Sequence, residues 1–357
     1  MALRDVIGQD RAVNILLRTN RRGRIPSAYL FAGESGIGKK YTALNLAKAL
    51  NCLSPSSHLP ADGGDSGVTD ACDVCSSCRR IDSGGHPDVL LISPESGQIR
   101  IEEIRAIDDM LSLKAFEGRY KIIITDDADT MNQYAANAFL KTLEEPPQDS
   151  LIILVSSNPS RLPDTIKSRC SRINFTPLAH DLCRRVIEKN LYANLAVKGK
   201  KTAGSSSLRE GISEPPADDI LRLQTLVRLS MGRPGNVVSE DILEERSWFI
   251  NLLKGMLNAE KDGWASREEM ERWFEILLIF IRDMAVLKET GDETKLVNID
   301  LAAYLRKISS STHIKVIIET YGKLNALKGY LAFNLNKSLT WNYTGSILRN
   351  TMDMTHA

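Results

Sequence analysis

The hydrophobic positions of this chain fall into two rhythms. Over its first half, short apolar runs recur at 28–32, 88–92, 120–125, 151–156 and 172–175. Runs of that length, bounded by turn residues, read as strands buried on both faces. Between them the apolar spacing changes to three and four, which predicts helices over 39–51, 101–113 and 132–145. The last ends at Pro146-Pro147, where a helix cannot continue. Strands alternating with helices predict a parallel sheet with helices on both faces. From about 178 onward the pattern is helical, broken at 197–217 by a stretch rich in Lys, Gly, Ser and Pro. That stretch reads as a flexible surface insertion. Beyond 245, the spacing of Trp248, Ile250, Leu252, Leu253 and Met256 predicts a helical bundle without recognisable chemistry. The expected fold class is therefore α/β then all-α, in three domains at 1–177, 178–244 and 245–357.

Size and charge narrow the function. A chain of 357 residues can build two or three cores. Its net charge of +1 excludes a general nucleic-acid coat, so any DNA contact must come from a local patch. The basic group Arg18, Arg21, Arg22 and Arg24 reads better as a solvated helix end than as that patch. The charged first ten residues predict no signal peptide. No apolar run nears the roughly 18 residues of a membrane helix. The expected location is cytoplasmic.

The cysteines add the first chemistry. Cys72, Cys75 and Cys78 form a C-x₂-C-x₂-C run, and Cys52 stands upstream at the end of the helix predicted over 39–51. Four thiolates at such spacing can close one tetrahedral, structural Zn²⁺ site. Two other readings stand beside it: a pair of disulfides, or a four-thiolate iron–sulfur cluster. The spacer at 53–71, rich in Ser, Pro, Gly and Asp, lengthens the loop at little entropic cost. Cys170 and Cys183 are left as free thiols.

The helix that Cys52 ends begins with a phosphate-loop motif, Gly33-Glu34-Ser35-Gly36-Ile37-Gly38-Lys39-Lys40, directly after the strand at 28–32. Glycines at 33, 36 and 38 let backbone N–H groups turn onto a phosphate, and Lys39 reaches the terminal phosphates. The next position should be Ser or Thr, whose hydroxyl holds magnesium. It is Lys40, which cannot ligate a metal and repels one. The loop is read as able to take ATP and poorly equipped for Mg²⁺. The partner motif is the strand 122–125 followed by Asp126 and Asp127. Asp126 sits at the magnesium-contacting place. Asp127 stands where a catalytic Glu would polarise water, one methylene too short for exacting geometry.

Further along lie Asn137-Ala138-Phe139-Leu140-Lys141-Thr142-Leu143-Glu144-Glu145-Pro146-Pro147 and then Ser168-Arg169-Cys170. With these the chain resembles the clamp-loader branch of the AAA+ ATPases. Gly8-Gln9, His86-Pro87-Asp88, the four-cysteine insert and the C-terminal helices extend the resemblance over nearly the whole length. It implies an AAA+ P-loop domain with a zinc insert at 52–78, a small helical lid and a helical collar for oligomerisation. It also implies a monomer that joins a five-subunit ring with gamma/tau motor subunits and a delta subunit. That ring loads a sliding clamp onto primed DNA. Motor subunits carry Thr after the loop lysine, a catalytic Glu and a sensor arginine. Here Lys40, Asp127 and Gly235 take those places, Arg233 lies two residues away, and Ser157 falls at the first sensor position. The resemblance therefore points to a non-motor subunit with little or no ATPase of its own. Its Arg169 would be an arginine finger donated in trans. An ATP-hydrolysing motor subunit, or another AAA+ remodeller, is the alternative.

Overall fold

A computed structural model describes residues 2–58, 68–94, 97–199, 217–238, 242–261, 263–333 and 335–352. The chain divides into two compact units. One comprises Met1–Val186 with Gly232–Asn236, the other Ile187–Met231 with Val237–Ala357.

The first unit follows the alternating pattern. Helix α1 (Asp10–Arg21) leads into β1 (Ala28–Ala32), then α2 (Lys39–Asn51), a ribbon of β2 (Ser56–His58) and β3 (Val68–Asp70), and α3 (Ser76–Asp82). There follow β4 (Val89–Ile92), α4 (Ile101–Ser112), β5 (Lys121–Thr125), α5 (Gln133–Glu144), β6 (Ser150–Ser156), α6 (Asp164–Lys167), β7 (Ser171–Asn174) and the start of α7 (His180–Gly199). Five strands pair in parallel in the order β4-β5-β6-β1-β7. Every residue of β1, β5 and β6 is buried. Strands shielded on both faces read as unbroken apolar runs, which is why the sequence shows these three most plainly, whereas the outer strands β4 and β7 keep exposed residues. The crossovers place the β1–α2 loop and the ends of β5 and β6 on one edge of the sheet, where open α/β folds hold ligands.

The ribbon was not foreseen. Residue 56 pairs with 70, 57 with 69 and 58 with 68, antiparallel. The polar spacer thereby doubles back and returns the chain from Cys52 towards Cys72. Three-residue strands without alternating hydrophobicity carry no periodic signal. Asp70, at the end of the ribbon, is fully buried and accepts N–H groups from Leu3 (3.0 Å), Arg4 (3.1 Å) and Ala71 (2.7 Å).

The second unit is helical, as expected. It contains α8 (Ala217–Ser230), the end of α9 (Pro234–Val238), α10 (Ile242–Leu257), α11 (Arg267–Thr290), α12 (Ala302–Ser311), α13 (Ile314–Tyr330) and α14 (Lys337–Thr351). Trp273, Phe274, Leu277, Phe280, Ile281 and Met284 make α11 its buried axis. Trp264 packs on Trp273 and Trp341 with ring centres 5.5 and 5.0 Å apart. The buried carboxylate of Asp283 accepts both the backbone and side-chain N–H of Asn298, each at 2.7 Å. The insertion expected at 197–217 falls mostly on 200–216, outside the described residues. Among the described residues no helix is long and apolar enough to cross a membrane.

Candidate functional site

The phosphate loop has the backbone its glycines allow. Gly36 and Gly38 hold φ of +73° and +94°, the left-handed region costly for any other residue. Gln9 braces the loop from behind. Its amide donates to Ile37 O at 3.1 Å and to Thr176 O at 2.8 Å, joining the loop to the end of β7. Lys39 is buried, and its ammonium donates to the loop's own Gly33 and Glu34 carbonyls at 2.6 and 2.5 Å. Burial pushes the Lys39 pKa down, against the upward pull of Asp126, Asp127, Asp129 and Glu34.

Lys40 points across to β5. Its Nζ lies 3.0 Å from Asp126 Oδ2 and 3.5 Å from Ser93 Oγ. The acid that would hold magnesium is thus already bound to a cation of this chain, and the hydroxyl that would share the metal is missing. These residues do not fit a P-loop magnesium ion. Asp127 sits in the left-handed region at φ +44°. Burial, then its neighbours Asp126 and Asp129, raises its pKa. Ser157 is brought to the same edge: its N–H donates to Asp129 at 3.0 Å, and Ser156 Oγ to the same oxygen at 2.7 Å. Asp129 is therefore a structural member of the site that sequence reading passed over.

The segment 232–236, which runs into the first turn of α9, packs directly on the loop. Gly235 donates its N–H to Gly36 O at 2.8 Å. A Cβ on Gly235 would fall 2.8 Å from that oxygen, and one on Gly36 would fall 2.1 Å from Asn236 Oδ1. Two glycines face each other because nothing larger fits. Arg233 approaches the loop instead, 3.6 Å from the Glu34 carboxylate.

Arg169 stands apart from these groups, in the turn between α6 and β7. Its guanidinium donates to Thr165 O at 2.8 Å and pairs with Glu144 at the end of α5. The Arg169 side chain is 34 % exposed and that of Glu144 50 %. Glu144 was visible only as part of a motif; its partnership with Arg169 is long-range and leaves no trace in spacing.

The four cysteines converge. The sulfurs of Cys52, Cys72, Cys75 and Cys78 lie within 4.8 Å of one another, and Cys52 and Cys75 are 3.9 Å apart. A tetrahedron with metal–sulfur bonds of about 2.3 Å has edges near 3.8 Å, so the set fits Zn²⁺. Backbone N–H groups of Cys72, Cys75 and Cys78 donate to the sulfurs of Cys52, Cys72 and Cys75, the outer support that metal thiolates need. Among the described residues no cysteine forms a disulfide, Cys170 and Cys183 included. Buried Lys48 of α2 locks the module on, at 2.7 Å from Asp73 and 3.0 Å from Asp82.

His86 and Asp88, noticed in the sequence only as part of a resemblance, close the other side. Asp88 accepts N–H groups from Phe116, Glu117 and Gly118 at 2.7, 2.9 and 2.7 Å. His86 Nδ1 accepts the Asp88 N–H, which leaves the proton on Nε2, 3.1 Å from Ser77 Oγ. Burial pushes the Asp88 pKa up, but the three amides outweigh it and hold the carboxyl below its ordinary value. A depressed carboxylate adds stability above its unfolded pKa of about 3.9, lost as pH falls through the folded value. Replacing Asp88 by Ala is expected to cost about 3 kcal/mol at neutral pH, because three part-buried N–H groups lose a charged, buried acceptor. Urea titration of wild type and variant at neutral and acid pH measures this. The difference should shrink as pH drops, and an unchanged neutral midpoint would show the carboxylate to be dispensable.

Comparison with known proteins supplies the remaining observations. The family described as DNA polymerase III, delta subunit, matches residues 8–179. Over 334 residues the chain is 37 % identical to the DNA polymerase III subunit delta′ of Bacillus subtilis, covering 90 % of both chains. It is 33 % identical over 216 residues to the subunit tau of Escherichia coli, covering 58 % of this chain and 32 % of tau. A solved gamma-subunit-related protein of Thermotoga maritima aligns over 94 % of this chain and 99 % of its own, with 20 % identity and a TM-score of 0.47.

Proposed function

Because the chain belongs to the family of DNA polymerase III delta-prime subunits, within the clamp loaders, we propose that it is the non-motor member of the loader ring. In this reading it assembles with gamma/tau and delta subunits. It contributes Arg169 to a neighbour's ATP site while that ring places the sliding clamp on primed DNA. Residues 1–177 act as the P-loop domain, 178–244 as a lid and 245–357 as the collar. Apolar side chains on the last helices support a collar that packs on other subunits. Ile318, Tyr330, Phe333, Leu339 and Tyr343 are each more than half exposed, an unusual concentration for a surface without a partner. The cysteine module holds a structural Zn²⁺. The phosphate loop keeps a cradle for the polyphosphate of a nucleotide, with Gly33, Gly36, Gly38, Lys39 and Lys40 around it.

One observation carries the non-motor reading. Gly235 takes the place of the motor's sensor arginine, and its backbone lies so close to Gly36 that any side chain there collides with the loop. The loss of the arginine is built into the packing and a single substitution does not reverse it. The isolated chain is therefore expected to show negligible ATP hydrolysis. Lys40→Thr alone should not restore it, since Asp127 and Gly235 remain. Steady-state phosphate release from the purified chain tests this; turnover near about 1 s⁻¹, the low end of ordinary enzymes, would identify a motor instead.

A further inference from the structure

A P-loop magnesium ion is held by two protein groups, a hydroxyl at the first turn of the helix and an acid at the end of the neighbouring strand. This chain has filled that place from within. Lys40 stands in the first turn of α2, and its ammonium reaches the end of β5, 3.0 Å from the Asp126 carboxylate. Ser93, just after β4, lies on the same ammonium at 3.5 Å. Asp127, the next acid, has its backbone turned into the left-handed region, and Asp129 is committed to Ser156 and Ser157. The other cradle parts are intact: the glycine backbone is formed, and the ammonium of buried Lys39 donates to two carbonyl oxygens of the loop, which a phosphate can replace.

We propose that Lys40 takes the place of the metal, so that this loop holds a nucleotide's polyphosphate without any divalent cation. A lysine ammonium is a compact point charge with three donors. It can keep one donor on Asp126 and turn another to a phosphate oxygen, as a bridging ion would. It cannot bring bound water or draw charge from the leaving group as a dication does, so the nucleotide is held and not cleaved. The inference rests on the reading of the loop as a nucleotide site, and the two can fail separately.

The test is binding of a fluorescent ATP analogue to the full chain, followed by anisotropy, in excess Mg²⁺ or in EDTA. Wild type should bind with affinities that differ by less than about threefold between the two conditions. Lys40→Thr restores the hydroxyl and frees Asp126, and should bind at least about tenfold tighter with Mg²⁺ than in EDTA. Lys40→Met has neither group and should bind weakly in both, while circular dichroism reports whether each variant is folded. Wild type that needs Mg²⁺ would overturn the substitution of lysine for metal and leave the nucleotide site standing. Binding seen only for Lys40→Thr with Mg²⁺ would also overturn it, since Lys40 would then be a block. If wild type and Lys40→Thr both fail to bind in either buffer, the nucleotide reading itself falls, and this inference with it.

Discussion

Elemental analysis of protein purified without chelator is expected to find one zinc and no iron per chain. The four sulfurs stand at the separations of a closed tetrahedral site, and backbone amides already face three of them. Cys75 carries the thiolate most readily. Although burial acts against it, amide donors and neighbouring thiols bring its pKa down to about 6. Apparent zinc binding to small finger peptides is worth roughly 10–16 kcal/mol, comparable with the whole stability of an ordinary domain. Cys72→Ser, or removal of the metal, should therefore unfold the module while the sheet survives on its own core. Damage should spread along two routes. Lys48, buried in α2, would lose its hold on Asp73 and Asp82. The N-terminal turn would lose Asp70, which anchors Leu3 and Arg4. Limited proteolysis and hydrogen exchange should show cleavage and opening around residues 52–82 and near the N-terminus, with β1, β5 and β6 still protected. Iron in the preparation, or less than half a zinc per chain, would remove zinc from the account. Full metal content in Cys72→Ser would remove Cys72 from the ligand set.

What the sequence disclosed and what it hid divide along one physical line. Strands such as 121–125 and 150–156 are buried throughout and carry unbroken apolar centres because both sheet faces are covered, so the apolar run marks them. The glycines of the phosphate loop are likewise forced by backbone geometry, and a motif exposes them. The four-cysteine cluster follows from spacing. Hidden were the contacts made across long stretches of chain by polar groups with several uses. Asp88 could have been any surface carboxylate until the turn at 116–118 closed on it. Lys48 reads as a helix lysine, yet folding buries it against two acids. Lys40 was legible as a residue unsuited to magnesium; that its ammonium would settle on Asp126 depended on the register of β5 beside α2. Gly235 was legible as a missing arginine, and only the approach of its backbone to Gly36 gives the reason.

Replacing Arg169 by Ala is expected to leave this subunit folded and able to join its ring, and to silence one ATP site of that ring. The side chain is a third exposed, and its partners are a carbonyl and a half-exposed carboxylate, Glu144. An exposed pair of this kind contributes about 0–1 kcal/mol, so losing it barely affects the fold. For the same reason the guanidinium can leave Glu144 for the developing charge on a neighbour's phosphate at little cost. Arginine fingers supply roughly 10³–10⁵ in rate at the site they serve. The affected site should thus fall silent, while the other interfaces of the ring continue to turn over. Total clamp- and DNA-stimulated hydrolysis by the reconstituted complex should fall only in part. Clamp loading should fall further, because opening and release of the clamp depend on the sites acting together. Glu144→Gln makes a useful companion: it frees the guanidinium without removing it, and should keep most of the hydrolysis that Arg169→Ala loses. A complex carrying Arg169→Ala that loads clamps at the wild-type rate would make Ser168-Arg169-Cys170 a structural turn. This subunit would then serve its ring as a scaffold alone.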